Sequence, residues 1–178
     1  MILGVGLTGT GTGRLAKALK ILGINGVHRI TDLPTTHVNP DNLGVDAVTN
    51  FAGLLQSKFF SLETLKNRYP NGTFILTTRE FDPWFDYCKK HFLALHANIK
   101  SKGPKVKSTP LQYTLFDGIV DEYAYQEYYD AHHIKVENVL GDTVLKLDMS
   151  TNCWDILCNR LGVLIPREDW PSGKAADC

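Results

Sequence analysis

The stretch Met1–Gly23, MILGVGLTGTGTGRLAKALKILG, decides the reading of the whole chain. Ile2 to Leu7 is an apolar run suited to a buried strand. Gly9, Thr10, Gly11, Thr12 and Gly13 follow. Leu15, Ala18, Leu19 and Leu22 then recur at helical spacing up to Gly23, a helix-ending glycine. Strand, glycine-threonine loop and helix, in that order, present backbone N–H groups and a positive helix end to an anion. Gly6 and Gly11 stand as G-x-x-x-x-G, the frame of a phosphate-cradling loop. A nucleoside-triphosphate enzyme carries Lys and Ser/Thr next, for the terminal phosphates and magnesium. Here those positions are Thr12 and Gly13, which argues against ordinary ATP or GTP hydrolysis.

Working outward, 178 residues predict one domain with a proper core. Nineteen basic and nineteen acidic side chains cancel, so overall charge calls for neither nucleic acid nor an anionic membrane. The apolar runs are too short to span a bilayer. A strand starting at Met1 leaves no room for a signal peptide. The four cysteines, Cys88, Cys153, Cys158 and Cys178, form no C-x-x-C pair. The expectation is therefore a reduced, cytoplasmic setting and no metal site.

Further strands are expected near Val27–Ile30 and Val45–Val48, over Thr73–Thr78 (TFILTT), and over Thr143–Asp148 (TVLKLD). Thr31 to Gly44, with Pro34, His37 and Pro40, reads as a loop. Phe51 to Phe60 reads as helix, and Ser61 caps another that ends before Pro70-Asn71-Gly72. Asp82 and Pro83 open a helix carrying Trp84 and Cys88 on one face. The second half of Leu111–Leu140 is helical, and so is the stretch from Ser150 or Thr151 to Gly162. This alternation predicts a three-layer α/β/α domain with a central parallel sheet and a P-loop-like nucleotide site, plus a mostly helical insert around 101–142. Ligands in such sheets bind beyond the carboxyl ends of the strands, where both the Gly9–Gly13 loop and Arg79 are expected.

Three stretches together resemble the sulfotransferases that use 3′-phosphoadenosine 5′-phosphosulfate, especially their shorter bacterial and marine relatives. Gly6–Gly23 is similar to that family's loop of G-x-x-[RK]-[TS]-G-T-[TS]-x-L and following helix. Arg68–Tyr87 (RYPNGTFILTTREFDPWFDY) resembles its tyrosine-proline, strand, arginine and D-P-x-x-W sequence. Tyr129–Pro171 resembles its Y-x-x-H helix, its next strand, and a tryptophan-x-x-leucine-cysteine helix ending in leucine-glycine-valine.

The resemblance implies that the loop of Gly9, Thr10, Gly11, Thr12 and Gly13 holds the 5′-phosphosulfate and Arg79 the 3′-phosphate, with Arg14 and Tyr87 as further candidate contacts to the nucleotide. It further implies adenosine 3′,5′-bisphosphate as product, no metal, and a small-molecule or carbohydrate acceptor attacking through a hydroxyl or amine. Two positions depart from the family pattern. Gly9 stands where Lys or Arg is usual, leaving Arg14 as the candidate replacement, and Tyr87 stands where a serine is usual. Asp46, near a strand end, and His37 are the candidate bases. The competing readings are a non-catalytic nucleotide-binding relative and a P-loop kinase of nucleotides or small metabolites.

Overall fold

A computed structural model of the chain describes residues 1–29, 44–50, 61–102 and 120–172. Within these, five strands form one sheet: β1 (Ile2–Gly4), β2 (Gly26–Arg29), β3 (Ala47–Asn50), β4 (Thr73–Thr78) and β5 (Val144–Asp148). Their order is β2-β3-β1-β4-β5, and every neighbouring pair is parallel. Register is set by Leu3 opposite Val48 on one side and Phe74 on the other. β1 is thus central, with the glycine loop at its carboxyl end.

The first strand closes at Gly4, earlier than the apolar run suggests. The Val5 N–H still donates to the Ile75 carbonyl at 2.8 Å, after which the chain bends into the loop. Val5 and Leu7 stay buried beyond the end of the strand, Val5 in the cluster of Leu3, Val48, Leu62 and Phe74.

The helices are α1 (Thr12–Ile21), α2 (Leu62–Arg68), α3 (Phe81–Lys102), α4 (Glu122–Leu140) and α5 (Trp154–Leu161). Alternation along the strands sends successive residues to opposite faces of the sheet. Ile2, Ala47, Ile75 and Leu147 face Leu15, Ala18 and Leu19 of α1 and Trp154, Leu157 and Cys158 of α5. Leu3, Val48, Phe74 and Leu76 face Leu62 and Leu65 of α2 and Val136 and Leu140 of α4. Helices on both faces make the three-layer α/β/α arrangement.

Local chemistry explains the helix ends. The Ser61 hydroxyl accepts from the Thr64 N–H at 3.1 Å, and Asp121 accepts from the Ala124 N–H at 2.8 Å, each satisfying a first-turn donor. Gly162 ends α5 in the left-handed conformation, at φ 67°.

By compactness the chain divides into two units, residues 1–79 with 133–178, and residues 80–132. The sheet, α1, α2, α5 and the carboxyl half of α4 belong to the first. The second holds α3, which the sequence starts at Asp82, and the amino half of α4. Its core is aromatic: Phe81 stacks on Phe85 at 5.5 Å, and Trp84 lies 5.0 Å from Tyr129 and 6.0 Å from Tyr125. The helix expected over 51–60 and the loop residues 30–43, His37 included, lie outside the described residues. So does the stretch 103–119 of the expected insert. No helix among the described residues is long and apolar enough to cross a membrane.

Two measurements test this packing. Leu157 is fully buried and Ile156, its neighbour on α5, is 49% exposed. Leu157→Ala is expected to cost about 2–5 kcal/mol in urea denaturation, whereas Ile156→Ala stays within about 0.5 kcal/mol. In the second unit, burial pushes the Cys88 thiol up to about 12 and Tyr125 up to about 12. Folding therefore favours their neutral forms: that stability is full below pH 9.0, the thiol's ordinary value, and is lost as pH rises toward 12. The thermal midpoint should fall steadily above pH 9.0, and less steeply in Cys88→Ala.

Candidate functional site

The loop between β1 and α1 is held by what lies under it. Gly6 passes so close to β4 that a Cβ there would stand 2.1 Å from Thr77 Oγ1 and 2.7 Å from the Thr77 carbonyl oxygen. No side chain fits in that gap. Thr10 Oγ1 donates to the Leu7 carbonyl at 2.6 Å and lies 2.8 Å from Thr77 Oγ1. A hydroxyl has one hydrogen, so Thr77 is the donor of the second bond. The relay Thr77 to Thr10 to Leu7 is wholly buried. It fixes the bend from below, together with the Thr10 N–H, which also donates to the Leu7 carbonyl, at 3.1 Å.

Gly11 opens α1 at φ 105°, and a Cβ there would meet Met149 Cβ and Cγ at 2.7 Å. Both the backbone conformation and the close approach therefore require glycine. Without a side chain Gly11 cannot cap the helix, and the first turn of α1 carries no acidic residue. The helix's positive end is thus compensated neither by a side chain of the capping residue nor by an acidic residue in the first turn. Thr12 is fully buried, and its Oγ1 finds no hydrogen-bond partner among the described residues. A buried orphan hydroxyl costs about 1–3 kcal/mol, and a bound anion's oxygen is the kind of acceptor that would remove that penalty. The loop's open glycines, uncapped helix start and orphan hydroxyl fit a phosphate or sulfate group.

One guanidinium bonds this loop, and a second starts just after it in α1. Arg14 Nη1 donates to the carbonyl of Met149, just past β5. Arg79, just past β4, donates from Nη1 to the Gly9 carbonyl at 3.3 Å. Gly9, Thr10, Gly11, Thr12, Gly13, Arg14 and Arg79 are thereby gathered at the carboxyl edge of the sheet. Thr8 Oγ1 adds a contact to Asn50 Oδ1, at the end of β3, at 3.4 Å.

Asp46 is not brought there. It precedes β3, where its carbonyl accepts from the Ile2 N–H at 2.7 Å, at the amino edge of the sheet. Parallel strands put that edge opposite the loop, so Asp46 is no candidate base for this site. Its nearness to a strand end was legible, but it marks the wrong end. Tyr87 is buried within the second unit and stacks on His91 at 4.8 Å. Among the described residues no group of three or more His, Cys, Asp or Glu side chains is arranged to hold a metal.

Three participants were not singled out from the sequence. Thr77 had a signal: it is a polar residue inside an otherwise buried strand, two positions before Arg79 and hence on the same side. Met149 and Asn50 had none, because their roles depend on strand neighbours far along the chain. Replacing Thr77 tests the relay. Thr77→Val should cost about 1–3 kcal/mol through the lost donor to Thr10; Thr77→Ser, which keeps it, should cost less, both read by chemical denaturation.

Against known proteins, a family profile described as "Sulfotransferase domain" matches residues 1–177. No curated protein matches the chain.

Proposed function

The chain belongs to the sulfotransferase domain family, and from that premise we propose that it transfers a sulfuryl group from 3′-phosphoadenosine 5′-phosphosulfate to a hydroxyl or amine of a small or carbohydrate acceptor. The donor supplies an activated sulfur whose bond to the bridging phosphate oxygen is the one to break. One observation carries the reading: an uncapped helix start and a guanidinium from a different strand meet at the same glycine loop, with Arg79 Nη1 on the Gly9 carbonyl.

In this reading the first-turn amides of α1 and the Thr12 hydroxyl receive the 5′-phosphosulfate oxygens. They are fixed in place before binding, so they stabilise negative charge as it grows on the leaving phosphate without having to reorganise. Arg79 offers a planar fork suited to a phosphate of the same nucleotide. The acceptor's proton must pass to a base; His37 is kept as the candidate, and Asp46 is set aside by its position. The absence of a Lys at the second loop glycine-threonine step, where Thr12 and Gly13 stand, weighs against the kinase alternative. We place the protein in the cytoplasm, a proposal supported by the buried free thiols of Cys88, Cys153 and Cys158.

A thermal-shift series decides between the readings. Adenosine 3′,5′-bisphosphate should raise the melting temperature markedly, and ATP with magnesium or sulfate alone should do so much less. At a bisphosphate concentration of about a hundred times Kd, the gain is about 2.7 kcal/mol. Equal or larger stabilisation by magnesium-ATP would replace this proposal with a kinase. Sulfate transfer to a panel of hydroxyl and amine acceptors then separates an enzyme from a binding-only relative.

A further inference from the structure

Gly9, Gly11 and Gly13 alternate with Thr10 and Thr12, so the chain of the loop does little by itself to hold one shape. Gly11, the capping residue of α1, makes no side-chain bond either. What stands against it is Met149, the residue that leaves β5. A Cβ on Gly11 would lie 2.7 Å from both Met149 Cβ and Cγ, and 3.5 Å from Met149 Cε. We infer that Met149 is a positioning residue of the anion site: its side chain fixes Gly11, and through Gly11 the first-turn amides of α1 and the Thr12 hydroxyl.

Met149 suits this role because it is itself held firmly. Its N–H donates to the Thr78 carbonyl at 3.0 Å, carrying the pairing of β4 with β5 one residue past the end of β5. Asp148 knits the turn that follows: its Oδ1 accepts from the Ser150 N–H at 2.9 Å, and its carbonyl accepts from the Thr151 N–H at 3.2 Å. The Met149 side chain is 2% exposed and shares a core cluster with Leu15 of α1, Leu147 of β5, and Trp154 and Leu157 of α5. A methionine side chain is flexible along its length, but the atoms nearest Gly11 are Cβ and Cγ, the two closest to the backbone. Removing Cγ and the atoms beyond it frees space beside a residue with no side chain to restrain it, and the helix start loses its stop. The Thr77 to Thr10 relay holds the loop one residue earlier; Met149 holds it where the helix begins. This assignment rests on the nucleotide reading above and names what keeps that site's helix end in place.

The chain contains two methionines, which supplies a direct readout. Met1 precedes β1 and packs against the cluster on the other face of the sheet. The full chain, isotope-labelled in its methionine methyl groups, is titrated with adenosine 3′,5′-bisphosphate and separately with inorganic sulfate, and followed by nuclear magnetic resonance. The Met149 methyl resonance is expected to shift at saturation and the Met1 resonance to stay. Calorimetric affinities are then compared for the native chain, Met149→Ala, Met149→Leu and Leu157→Ala, each first shown by circular dichroism to be folded at the temperature used. Met149→Ala is expected to weaken the bisphosphate by about tenfold, equivalent to about 1.4 kcal/mol. Met149→Leu refills the volume beside Gly11 and should stay within about threefold of the native chain. Leu157→Ala, a cavity in the same cluster made from α5, should bind as the native chain does. Undiminished binding by Met149→Ala, or equal weakening by Met149→Ala and Leu157→Ala, overturns the inference and leaves the nucleotide reading intact. A Met149 resonance unmoved at saturation does the same. Sulfate bound without bisphosphate ends the nucleotide reading alone, and the variants are then compared with sulfate. Failure of the native chain to bind either probe ends both. Should Met149→Ala not fold, the resonance shift in the native chain carries the decision.

Discussion

The rest of the structure depends on how closely the chain leaving β1 passes over the end of β4. Gly6 lies against Thr77 with no room for even one carbon, and the Thr77 hydroxyl continues through Thr10 to the Leu7 carbonyl. This contact follows from the parallel pairing of the two strands, Leu3 opposite Phe74 and Gly4 opposite Ile75. Because buried hydroxyls must find partners, the relay specifies one conformation of the bend. That conformation in turn aims the start of α1 outward at the carboxyl edge of the sheet.

The same pairing explains how the loop comes to present backbone donors with so little side-chain chemistry. Its glycines bring backbone close to backbone, and its helix has neither a capping side chain nor an acidic first turn. Contacts come instead from the ends of other strands: Arg79 after β4 bonds the loop, and the Met149 carbonyl after β5 holds Arg14. Strand ends are stiff supports, since each is fixed by a ladder on both sides or by a helix packed on the sheet. A site assembled this way is positioned before its ligand arrives, which is the condition under which dipoles and charges are most effective on a transition state.

The strands most visible in the sequence were the two longest, β4 and β5. TFILTT is β4 as read, and TVLKLD differs from β5 only by Thr143, which closes a short helical turn instead. Val45–Val48 was read two residues too early: Asp46 precedes the ladder, and β3 runs Ala47–Asn50. The short strand makes such a shift consequential, since it decides whether a carboxylate sits at the functional edge or away from it. The strand–loop–helix order was legible because it is local, a matter of glycines, threonines and a helix following in order.

The amino-acid sequence by itself determined the strand–loop–helix unit, the alternation that yields a parallel sheet with helices on both faces, and the presence of an arginine at the end of β4. Each follows from residue types within a few positions of one another, where backbone preference and apolar periodicity act. Only the tertiary structure decided that Thr77 supports Thr10, that Arg79 lands on Gly9 and Arg14 on Met149, and that Asp46 stands at the opposite edge. Those outcomes depend on strand order and register, which arise from packing between segments some seventy to more than a hundred residues apart, a distance at which no local pattern in the chain carries information.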